Sequence, residues 1–119
     1  MKFSSSLKLN HIFRRLYASQ GVANSFLVLY ARPNRSERNR VGITVGKKLG
    51  GAVVRNRVRR RLREVYRLNE ARFSCGWDIV VVARTRSITT DFDKLSQAYL
   101  ALAEKLGILL PCEEGEQQQ

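Results

Sequence analysis

The spacing of apolar side chains along the chain predicts six elements. Ile12, Phe13, Leu16 and Tyr17 recur at helical spacing and predict a helix over residues 10–20, with Gly21 as its stop. Residues 25–31, Ser-Phe-Leu-Val-Leu-Tyr-Ala, are aromatic and branched and predict a strand. Residues 33–40 are polar and aperiodic. They read as a hairpin loop into a second strand, residues 41–45, which would make the two strands antiparallel neighbours. A glycine-containing loop, Lys47 to Gly51, leads into a long helix over residues 52–70. On a wheel of ~100° per residue centred on Val58, the side chains of Val54, Leu62 and Val65 fall within about 40° of the centre. Asn56, Arg60, Arg63 and Arg67 point the opposite way, Arg57 and Arg59 lie on the flanks, and Arg61 lies ~60° from the stripe.

Further along, Ile79 to Ala83 is a continuous apolar run, the pattern of a strand covered on both faces and hence central in its sheet. Thr90-Asp91-Phe92-Asp93 opens a third helix. Phe92, Leu95, Tyr99, Leu102 and Leu106 form its stripe, and Gly107 ends it. The order α-β-β-α-β-α, without repeat or linker, implies an α+β two-layer sandwich with helices packed on a small sheet. With 119 residues, 44% of them hydrophobic, one domain over residues 1–110 has a core of adequate size, and the acidic, Gln-rich residues 111–119 are expected to be a disordered tail.

Charge changes this picture more than length does. The net charge is +12, and it is lopsided: residues 1–64 carry 16 basic and 2 acidic side chains. From Lys47 to Arg63 there are eight positive side chains and no acidic one. Like charges a helical turn apart repel by about 0.2–0.5 kcal/mol per pair, so a sequence shaped for stability alone would interleave glutamates. A polyanion is the natural source of the missing negative charge. Arginine rather than lysine dominates the helix, and guanidinium forks suit structured RNA. Ribosomal RNA and a DNA major groove remain open alternatives, although no tightly joined second helix completes a helix-turn-helix. Gly50-Gly51 offers backbone N–H groups and a positive helix end to a phosphate.

Several chemistries are excluded or disfavoured. Ala52 stands where a Walker A loop needs lysine. Cys75 and Cys112 lack partners at metal-ligand spacing, so no zinc site is expected; Cys75 reads as a small core residue in a reducing compartment. No run approaches a membrane span, and no secretory leader is visible at residues 1–6. His11 is the single histidine, and the nearest carboxylate pair, Asp91 and Asp93, fits helix capping. No catalytic protein residue is expected. Phe13, Tyr17 and Tyr30 are candidates for stacking single-stranded bases, with core packing as the alternative.

The run from Gly46 to Glu64, GKKLGGAVVRNRVRRRLRE, resembles the signature of the bacterial ribonuclease P protein component: Lys-Lys-x-Gly-x-Ala-Val-x-Arg-Asn-Arg continuing into a basic helix. Leu7, Phe13, Leu16-Tyr17, residues 27–30, 41–45 and 78–84 follow in the family's order, so the resemblance covers about residues 7–106. It implies a small mixed sheet with a left-handed βαβ crossover through the basic helix, as in the second domain of ribosomal protein S5. It also implies a cytoplasmic ribonucleoprotein that cuts the 5′ leader from precursor tRNA, in which the RNA subunit holds the catalytic magnesium and performs hydrolysis. One protein per catalytic RNA is expected. Arg55, Asn56, Arg57, Arg59, Arg60, Arg61 and Arg63 match the region that contacts the catalytic RNA. Phe13, Tyr17, Tyr30, Lys47 and Lys48 match a cleft that takes the leader. Gly46, Gly51, Ile12 and Ser6 depart from residues common in the family; Gly51 removes a side-chain amide where Asn is frequent.

Overall fold

The computed structural model describes residues 4–6 and 21–110. The helix expected over residues 10–20, with His11, Phe13 and Tyr17, and the tail from residue 111 lie outside the described residues. Five strands form one mixed sheet: β1 (Ser4–Ser6), β2 (Gly21–Ala23), β3 (Leu27–Pro33), β4 (Asn39–Thr44) and β5 (Trp77–Ala83), in the order β1-β4-β5-β3-β2. Among the described residues two α-helices, α1 (Ala52–Asn69) and α2 (Phe92–Leu106), accompany it. The fold is the expected α+β class.

β5 is central, as its unbroken apolar run predicts. It pairs antiparallel with β3 on one side and parallel with β4 on the other. Its alternate residues fill opposite faces, and both Ile79 and Val80 are fully buried. Ile79, Val81 and Ala83 join Leu27, Leu29 and Val41 in the main core, where Val58, Leu62, Val65 and Tyr66 of α1 and Leu95, Tyr99 and Leu102 of α2 meet them. Three aromatic rings cross there. Phe73 lies 4.8 Å from Tyr66 and stands edge-on to Tyr99 at 6.0 Å.

One sequence expectation is overturned. β3 and β4 are not hairpin neighbours, because β5 lies between them. A parallel pair needs a crossover, and β4-α1-β5 supplies it through the basic helix. The connection from β3 to β4 therefore spans the start of β5, where Asn34 N–H donates to the Gly76 carbonyl at 2.9 Å. Gly76 has φ +91°, and a Cβ there would sit 2.8 Å from the Ser36 carbonyl, so this turn requires glycine. Gly21 opens an edge strand paired with Tyr30, and the helix it is expected to end lies outside the described residues. One more feature differs. Cys75 is exposed, not buried, because the turn between Phe73 and Trp77 directs it outward.

α2 follows the capping rules closely. The Asp91 carboxylate accepts from Lys94 N–H at 2.8 Å, and Gly107 closes the helix in the left-handed region with φ 77°. Asp91 is thus used as the cap its position predicts.

Candidate nucleic-acid interface

α1 runs from the carboxyl end of β4 back to the amino end of β5, so its full length lies along one layer of the sandwich. Its apolar stripe inserts Val58, Leu62, Val65 and Tyr66 into the core. The remaining circumference then faces out by geometry. Asn56, Arg57, Arg60 and Arg63 are exposed, in agreement with the wheel. Arg59 is half-buried and its Nη1 donates to Asn56 Oδ1 at 3.0 Å, which holds two neighbouring side chains in one plane of the surface. Arg55 is also half-buried, with its Nε buried and unpartnered.

Arg61 behaves differently from its neighbours. Its Nη2 donates to the Thr90 carbonyl at 2.6 Å, just ahead of α2. Burial pushes this guanidinium below its usual range, Arg57 adds to the effect, and Asp91 opposes it. The wheel angle of ~60° already marked it as a flank residue, and the structure brings that flank against α2. Arg67, on the outward face, is paired with Glu64 in a two-pronged contact. The exposed arginines of α1 without an ion pair among the described residues are therefore Arg57, Arg60 and Arg63.

The entry to α1 completes this surface. Lys47 and Lys48 lie exposed on a single 3-10 turn, while Leu49 turns inward and is buried. That one apolar residue pins the basic loop to the core. Gly50 has φ +143° and packs against Val54, and its N–H is already spent on the Lys47 carbonyl at 3.2 Å. Gly51 caps α1 without a side-chain hydrogen bond, and no acidic residue occupies the first turn. The opening N–H groups of the helix therefore have no side-chain acceptor from the cap, and an anion is the fitting partner.

Tyr30 lies on the other face of the sheet. It is half-buried, opposite Val80 in β5, in a row completed by Gly42 of β4. Its ring covers Gly21, where a Cβ would come within 2.6 Å of Tyr30 Cε1. The next row holds Val28, Val82 and Thr44, and Lys47 and Lys48 follow at that end of β4. Lys47 and Lys48 thus lie beyond the end of β4 toward which these rows lead, on the turn that enters α1. Phe13 and Tyr17 lie outside the described residues.

Among the described residues no three His, Cys, Asp or Glu side chains gather at a point that fits a metal ion. Asp78 is engaged by Arg40 through two bonds of 2.7 Å and by Asn34 Nδ2 at 3.0 Å. Also among those residues, no helix is long and apolar enough to cross a membrane.

A further basic group, Arg32, Arg35, Arg38 and Arg40, lies around the β3–β4 connection, outside the signature run. Its signal in the sequence is the density of arginine in a stretch that otherwise reads as a polar loop.

Residues 1–107 match the Ribonuclease P family. The chain belongs to the ribonuclease P protein family. It is 42% identical over 105 residues to the ribonuclease P protein component of Natranaerobius thermophilus, an alignment covering 87% of this chain and 91% of that protein. The solved ribonuclease P protein of Staphylococcus aureus superposes with a TM-score of 0.80 at 29% identity, over 87% of this chain and 96% of that one. The Thermotoga maritima protein gives 0.77 at 30% identity, over 84% and 96%. Ribonuclease P is an endoribonuclease, and the family supplies its protein component.

Proposed function

We propose that this chain is the protein subunit of a ribonuclease P ribonucleoprotein that removes the 5′ leader of precursor tRNA in the cytoplasm, with one protein per catalytic RNA. α1 holds the catalytic RNA through Arg57, Arg60 and Arg63, with Asn56 and Arg59 as a paired polar contact and Arg55 at the helix entry. Arg61 serves the same helix from its inner flank. The leader crosses the sheet face that carries Tyr30, toward Lys47 and Lys48, together with Phe13 and Tyr17. The RNA supplies the hydrolytic chemistry and holds the magnesium; the protein positions and neutralises.

The observation that carries this reading is the exposed arginine face of α1, continuous with a helix entry that has neither side-chain cap nor acidic first turn. The engagement of Asp78, Asp91 and Glu64 in structural contacts supports a binding role for the protein and catalysis by its partner.

The test is assembly with the cognate catalytic RNA. Arg57→Ala with Arg60→Ala should weaken binding and lower the slope of log affinity against log salt by about one phosphate each. Its melting temperature should stay near that of the parent, because both side chains are exposed. Cleavage of precursor tRNA by the purified protein without RNA would overturn the division of labour.

A further inference from the structure

We propose that the loop of residues 34–38 is a second RNA-contacting surface, which binds phosphates of the same catalytic RNA through Arg35 and Arg38. The inference rests on the reading of α1 given above and extends it to a part of the molecule outside the signature.

The loop is built to a degree that its burial does not explain. Arg35, Ser36, Glu37 and Arg38 are all exposed, so the segment contributes nothing to the core. Yet its backbone is closely braced. Asn34 Nδ2 donates to the Arg38 carbonyl at 3.0 Å and to Asp78 Oδ1 at 3.0 Å, and Asn34 Oδ1 accepts from Ser36 N–H at 2.8 Å. Ser36 Oγ accepts from Arg38 N–H at 3.1 Å, and Asn34 N–H reaches across to Gly76. Inside this frame Arg35 adopts φ 61°, the left-handed region, which is unfavourable for a non-glycine residue. Rigid presentation of exposed side chains is what such an arrangement achieves. With the backbone already held in place, only side-chain freedom is lost when a phosphate arrives.

The electrostatics agree. The buried carboxylate beneath the loop, Asp78, is neutralised by Arg40 and so does not cancel the outer charges. Arg35 and Arg38 form no ion pair among the described residues, and Glu37 is the one acid in the loop.

Position supplies the partner. The loop lies at the amino end of β5, the end at which α1 finishes and Arg72 is exposed. Lys47 and Lys48 stand at the other end of α1, about 27 Å away along an 18-residue helix. A folded RNA laid along the arginine face therefore meets basic side chains at both ends of that helix.

The experiment uses the full chain and the cognate catalytic RNA, with affinity measured across a salt series. Arg35→Asn with Arg38→Ala removes both charges, and Asn tolerates the left-handed region. The variant should melt like the parent but give a salt slope shallower by about 1.4–1.8, the value for two lost phosphate contacts. Arg35→Lys with Arg38→Lys should restore most of that slope. A parental slope in the charge-removing variant overturns the proposal. If Arg57→Ala/Arg60→Ala still weakens binding in that case, the α1 reading survives; if the parent protein does not bind the RNA at all, that reading fails first. Loss of precursor-tRNA affinity in the assembled enzyme with assembly itself unchanged would place the loop on the substrate and overturn the assignment to the catalytic RNA.

Discussion

The two α-helices among the described residues have similar lengths and both bury one apolar stripe, but they treat their amino ends and outer faces in opposite ways. α2 has an aspartate cap, an acid in its first turn, Lys105 in its last and a left-handed glycine stop. Each of these lowers the free energy of the helix without outside help. α1 has a glycine cap with no side-chain hydrogen bond, no acid in its first turn and arginines around most of its circumference. Local stability rules are obeyed where a helix serves the fold and broken where it serves a partner.

Substitutions can break or sharpen that contrast. The largest effect should come from the feature the helices share. Leu62 of α1 is fully buried, and Leu62→Ala should cost about 2–5 kcal/mol in chemical denaturation. An equally large loss from Arg60→Ala would erase the distinction between the two faces of α1. Next, Asp91→Ala should cost about 1 kcal/mol by removing the α2 cap, with no change in the salt dependence of RNA binding. The smallest effect is the most diagnostic. Gly51→Asp gives α1 the side-chain cap and negative charge that α2 already has. It should raise thermal stability by a few tenths of a kcal/mol and weaken RNA binding at low salt. Tighter RNA binding in that variant would show that the bare helix entry is not an anion contact.

Much of this arrangement is written in residue spacing. The stripe at Val58, Leu62 and Val65 has one solution on a helical wheel, and the outward placement of Arg57, Arg60 and Arg63 follows from it. The run from Ile79 to Ala83 can only be satisfied by cover on both faces, which placed β5 centrally. Strand adjacency was not legible. A short polar loop between two strands has the same appearance whether it closes a hairpin or passes over a third strand. The deciding contacts, from Asn34 and Ser36 to Gly76, join positions far apart in sequence. Leu49 was hidden for a related reason: one apolar residue amid lysines and glycines has no periodicity to mark it as core. Arg61 shows the limit of the wheel, which gives an angle but not the neighbour, here the Thr90 carbonyl.

The absent hairpin also governs the order in which this sheet can form. Leu27 meets Ala83 and Val41 meets Ile79, so neither β3 nor β4 has its central partner until the chain beyond α1 has arrived. β2 and β3 form the sheet's short-range strand pair, at its edge. Loop closure must therefore precede most of the sheet's stabilisation, which places this domain among slower folders of its size. During synthesis, the strand that unites the sheet is also the last of the described strands to be made.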